Sequence, residues 1–97
     1  MIRIVRLSFK QEHVKDFLTL FDERKERIRS FEGCQYLELW QDNESPNVFY
    51  TFSLWQSPAS LESYRISAIF QDTWSKVSIW FNEKPKAFSA NSHTKIH

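Results

Sequence analysis

One glycine, one cysteine and three prolines are spread over 97 residues, and basic and acidic residues nearly cancel to a formal charge of +1. A lone cysteine can form neither an internal disulfide nor a thiolate metal cluster, so packing must hold the fold. Cys34 opens an apolar run, where it reads as a small buried hydrophobe rather than a nucleophile. The sole glycine, Gly33, follows Phe31-Glu32 and is expected to end a helix in the left-handed conformation. The densest basic cluster, Arg24, Lys25, Arg27 and Arg29, has Glu23 and Glu26 among it. That is the pattern of a solvated helix face, not of a nucleic-acid footprint. No group of Asp, Glu and His has metal-ligand spacing, so no metal is expected. No apolar run approaches the roughly 18 residues of a membrane span. The segment MIRIVRLSFK lacks a signal-peptide core and cleavage site. A cytoplasmic location is expected, with neither nucleic acid nor membrane as partner.

Large rings, by contrast, are abundant: four Trp, three Tyr and nine Phe. They concentrate in two runs, Cys34–Asp42 (CQYLELWQD) and Val48–Gln56 (VFYTFSLWQ). Successive strand side chains point to opposite faces, and a strand with one wet side alternates apolar with polar. Here Tyr36 and Trp40 point one way and Leu37 and Leu39 the other; Val48, Tyr50, Phe52 and Leu54 oppose Phe49 and Trp55. Both faces of the hairpin call for burial. The helices of so short a chain can cover one, which predicts that the other meets a second copy of the chain.

The order of elements agrees. Ile2–Phe9 reads as a strand rich in β-branched residues, and Gln11–Ser30 as an amphipathic helix with Val14, Phe17, Leu18, Phe21 and Ile28 on its apolar stripe. Asn43–Asn47 is a turn-rich loop within the hairpin. Ser57 and Pro58 form an N-cap and first position of a second helix, continued by Leu61, Tyr64 and Ala68. Phe70, Trp74, Val77 and Phe81 extend the helical period, with or without a bend near Ser67. Pro85 stops it, and Ala87–Thr94 reads as a weak last strand. The result is an α+β, ferredoxin-like β-α-β-β-α-β chain, an antiparallel sheet with helices on one face, spanning residues 1–97 as one domain.

This topology, together with the Glu32-Gly33-Cys34 turn, the Asp42…Pro46-Asn47 hairpin, Leu54-Trp55, Ser57-Pro58, Ile69-Phe70…Trp74 and Lys84-Pro85, resembles the antibiotic biosynthesis monooxygenase (ABM) superfamily of dimeric α+β barrels. The resemblance implies a homodimer. It also implies a monooxygenase that works on a small aromatic or quinone-like compound without metal or flavin, or else a non-catalytic dimer that binds a small ligand or serves as an interaction module. Of the residues that form the pocket of the oxygenases acting on polycyclic phenols, Trp55 matches, while the family's Asn falls on Thr51 and its Tyr on Leu61. In haem-degrading relatives the axial His falls on Trp74, and a helical Trp falls on Tyr64. Haem chemistry of that type is therefore disfavoured, and no cofactor is expected.

A cofactor-free oxygenase must remove a proton, stabilise the resulting anion and exclude water while the anion meets oxygen. Thr51, Ser53 and Trp55 share one strand face, and Tyr64 and Trp74 can approach it from the second helix. In this reading Trp55 and Trp74 wall a pocket with Ser53, and Tyr64 and Thr51 orient a phenolic or quinone oxygen. All five also read as ordinary core or interface packing. For a base there are only His13, His93 and His97. His93, placed on the last strand, is the one worth testing, with an interface role as its alternative. Arg6 is a candidate anion stabiliser or interfacial ion-pair partner. The substrate's identity is not legible in the residues.

Overall fold

The computed structural model describes residues 1–97. Four strands, β1 (Ile2–Ser8), β2 (Cys34–Gln41), β3 (Val48–Trp55) and β4 (Lys86–Ala90), form one antiparallel sheet in the order β2-β3-β1-β4. The helices are α1 (Val14–Arg29), α2 (Pro58–Arg65) and α3 (Ala68–Val77). The architecture is the expected ferredoxin-like one. Ile4 lies opposite Phe52 on one side and Phe88 on the other, so β1 and β3 are the central strands.

The alternation in the two aromatic runs assigns the faces. Leu7 on β1 and Phe49 on β3 join Phe9, Phe17, Leu20 and Val77 in the larger buried cluster beneath the helices, with Val5 and Leu39 packed against it. A smaller cluster, Cys34, Trp55 and Leu61, lies at the other end of β3. Cys34 is buried, as its apolar setting predicts, and burial pushes its thiol pKa up. On the opposite face Trp40 stacks on Phe52 at 4.8 Å, and Tyr36 meets Phe52 edge-on at 6.1 Å. Tyr36, Trp40 and Phe88 keep 41%, 40% and 58% of their surface exposed, an apolar patch on the helix-free side of the sheet. Glu38 accepts hydrogen bonds from the Tyr36 hydroxyl and from Trp40 Nε1, which hold its carboxyl below the usual range.

Several boundaries differ from expectation. Gln11–His13 is a 3₁₀ turn, and α1 begins at Val14. Leu18 is exposed and Leu20 is buried in its place; both lie about 80° from the centre of the apolar stripe, so the helical period does not choose between them. The chain does bend at Ser67: its Oγ donates to the Tyr64 carbonyl at 2.6 Å and accepts from the Phe70 N–H at 3.2 Å, closing α2 and capping α3 at once. Phe81 is not helical. After α3 and a 3₁₀ turn (Ser78–Trp80) it pairs in extended form with Phe9, yet still packs on the larger cluster. Helix α1 ends at Arg29, and Gly33 (φ +90°) lies at the entry to β2 rather than at the helix end. A β-carbon there would collide with Ser60, so this approach of turn to helix α2 needs glycine on two counts.

Candidate functional site

Between the sheet and the helices lies a cavity of about 490 Å³ whose walls come from both buried clusters. Strand parity brings Thr51, Ser53 and Trp55 to its floor, and the turn at Ser67 sets Tyr64 of α2 and Phe70 and Trp74 of α3 along one wall. Trp55, only 2% exposed, donates from Nε1 to Ser53 Oγ at 3.0 Å; Ser53 Oγ donates to the Arg3 carbonyl at 3.4 Å. The indole of Trp55 stacks on Tyr64 at 5.1 Å. Tyr64 meets Phe70 edge-on at 5.2 Å, and Phe70 stacks on Trp74 at 5.7 Å. A continuous file of rings therefore runs along the cavity.

Of the residues proposed from sequence, Trp55, Tyr64, Thr51, Trp74 and Ser53 all line this cavity. His93 does not. The last strand ends at Ala90 rather than Thr94, and His93 sits exposed beyond it with its Nδ1 2.7 Å from Thr94 Oγ1. The small and polar residues Ser89, Asn91 and Ser92 supply too little apolar surface to extend β4. Arg6 also lies elsewhere, on the helix-free face, paired with Glu83 at 2.9 Å. Arg3, three residues earlier and therefore on the other face, lines the cavity with Arg65 and Lys84. Sequence reasoning assigned none of these three to the cavity. The parity of Arg3 with Val5 and Leu7 is the signal that finds it.

Electrostatics define what the cavity can do. Burial, and secondarily the nearby Cys34, push the Tyr64 phenol up to about 12, so at neutral pH it is a protonated donor. No His, Asp or Glu lines the cavity, and no three His, Cys, Asp or Glu residues gather anywhere in a metal-binding group. The lining also offers no imidazole, thiolate or thioether to a haem iron, the Trp74 indole nitrogen is a donor only, and burial disfavours the Tyr64 phenolate that could ligate one. These residues do not suit haem.

The sequence matches the family model for antibiotic biosynthesis monooxygenase over residues 1–75. The chain belongs to the antibiotic biosynthesis monooxygenase family. Solved structures share its shape at low identity. A protein of Nitrosomonas europaea assigned to antibiotic biosynthesis monooxygenases superposes with a TM-score of 0.88 at 16% identity, covering 96% of this chain and 98% of that one. A structure described as antibiotic biosynthesis monooxygenase gives 0.89 at 18% identity over 97% and 100%. A conserved protein of Methanosarcina mazei Go1 gives 0.84 at 24% identity over 90% and 87%. At these identities the likeness establishes the ABM fold alone. No curated protein matches the sequence. Within this ABM chain Leu61 is 9% exposed and packs with Trp55 and Cys34. No helix is long and apolar enough to cross a membrane.

Proposed function

We propose that the protein is a cofactor-independent monooxygenase, active as a homodimer formed through the helix-free sheet face, that oxygenates a small aromatic or quinone-like compound in the cavity between sheet and helices. One observation carries this reading: Trp55, Tyr64 and Trp74 border about 490 Å³ of open space instead of filling it. That volume suits a bicyclic or tricyclic aromatic. The rings give the cavity an apolar lining, and the Tyr64 hydroxyl, which makes no hydrogen bond within the chain, can donate to a substrate oxygen, with the Thr51 hydroxyl also in the lining.

The chemistry is that of an electron-rich phenolate and dioxygen. The phenolate supplies the electrons for a new C–O bond at the ring carbon para to its oxygen. One oxygen atom stays as a carbonyl; the other leaves as water with the phenolic and ring protons. The ring is oxidised to a quinone and dioxygen is reduced. Water exclusion and anion stabilisation are what the protein adds.

The test is oxygen uptake with 1-naphthol and with anthrone, using chelator-treated, flavin-free protein. The expected result is one dioxygen consumed per quinone formed, at a rate proportional to protein. Tight binding of these compounds with no uptake above the protein-free rate would instead establish the second reading, a non-catalytic ligand-binding dimer. The specific observation favouring that reading is the lack of any imidazole or carboxylate base at the cavity.

A further inference from the structure

The cavity carries charge of one sign only. Arg3, Arg65 and Lys84 are its ionised lining residues, and no carboxylate faces them from within it. Arg3 rises half-buried from β1 and takes part in none of the six ion pairs of the chain. Its single side-chain partner is a neutral hydroxyl, Ser89 Oγ at 2.9 Å. Arg65 has Glu62 at 3.2 Å, so one exposed carboxylate serves two guanidinium groups. Burial first, and then the charge of Arg65, pull the Arg3 guanidinium below its ordinary value; Glu62 only partly offsets them.

A cation withdrawn from water beside a second cation is destabilised unless an anion completes the group. Within the chain only the exposed Glu62, already paired with Arg65, opposes these charges. The planar fork of Arg3 keeps free N–H groups in the geometry that takes two oxygens at once. The aromatic file offers a stacking surface within the same cavity.

We infer that the cavity's ligand is an aromatic anion, its rings lying along Trp55, Tyr64, Phe70 and Trp74 and its ionised oxygen, a carboxylate or an acidic enol, directed at Arg3. This rests on the cavity being the ligand site. Where the ionised oxygen is the enol's own, it also answers the lack of a base, because the electron-rich anion arrives ready-formed; a carboxylate would serve binding alone.

Isothermal titration with two matched pairs tests the inference: 2-naphthoate against 2-naphthamide, and 2-hydroxy-1,4-naphthoquinone, an enol ionised at neutral pH, against its neutral 2-methoxy analogue. At least one anion is expected to bind about tenfold or more tighter than its neutral partner, as a charge-assisted contact to a guanidinium with no ion-pair partner provides. Which pair shows the advantage identifies the oxygen. The advantage should shrink with added salt and vanish in Arg3→Gln. If Arg3→Gln fails to fold, Arg65→Gln and Lys84→Gln, together with the salt dependence, read the same electrostatic term. Equal affinities within both pairs would overturn the anion assignment while leaving the cavity as the ligand site. An advantage that survives Arg3→Gln would overturn the role of Arg3. Failure of all four compounds to bind would overturn the cavity reading as well.

Discussion

Trp55 at the end of β3 and Tyr64 on α2 stack with ring centroids 5.1 Å apart and planes inclined by 28°. The contact joins the smaller buried cluster to the cavity wall, since the inner end of the same indole is anchored to Ser53 Oγ at 3.0 Å. One pair thus carries both packing and site geometry. Replacing Trp55 by Ala should cost about 3–5 kcal/mol of stability, the usual loss for a fully buried large aromatic. Trp55→Phe should cost clearly less in urea denaturation, because it keeps a ring against Tyr64. A loss below about 1 kcal/mol for Trp55→Ala would show that the indole is not a core anchor.

Tyr64 makes an alkaline prediction. Its phenol is raised to about 12 from an ordinary value of 10.0, so the folded state disfavours the phenolate. The stabilisation is complete below about pH 10, where both folded and unfolded chains hold the proton. It is lost as pH rises from about 10 through about 12, where the unfolded chain releases the proton first. The loss is on the order of 3 kcal/mol. Cys34 shifts in the same direction, so the comparison must be with Tyr64→Phe, which should lose less stability than the parent over that window. Parallel pH profiles would mean that Tyr64 titrates normally.

The helix-free face predicts an assembly. Trp40, Tyr36 and Phe88 are too exposed and too apolar for a free surface. A sheet-to-sheet dimer would bury on the order of 2,000 Å² in total. Light scattering at micromolar concentration should give twice the mass of the 97-residue chain, and Trp40→Glu combined with Phe88→Glu should halve it. A soluble wild-type monomer would defeat the argument from two-sided strands.

His93 lies outside the cavity of its own protomer and touches only Thr94 by side-chain hydrogen bonding. His93→Ala should therefore leave turnover intact and change stability by no more than about 0.5 kcal/mol. Abolished turnover with an unchanged dimer and melting temperature would instead place the segment beyond β4 across the partner's cavity.

The face assignments, the Ser57 cap and the strand-pair boundaries were legible because their causes are local. A strand has a period of two, so the sides taken by Tyr36, Leu37, Leu39 and Trp40 follow from their order alone. Ser57 caps α2 through the Ser60 N–H three residues on, whereas the break and second cap at Ser67 were left open by a helical period that runs through it. The clustering of Thr51, Ser53, Trp55, Tyr64 and Trp74 was legible in part, because strand parity and helical spacing each define a face. Other features depend on where elements dock, and no spacing encodes that. Leu18 and Leu20 flank the helical stripe symmetrically, and only the tilt of α1 on the sheet buries one of them. Arg3 and Arg6 differ by an odd number of residues, so they were bound to part, yet which of them met the cavity waited on the side the helices took. The electropositive wall joins residues from β1, α2 and the segment before β4, brought together by long-range packing. His93 moved for the opposite reason: beyond Ala90 the chain carries too little apolar surface for the sheet to hold it.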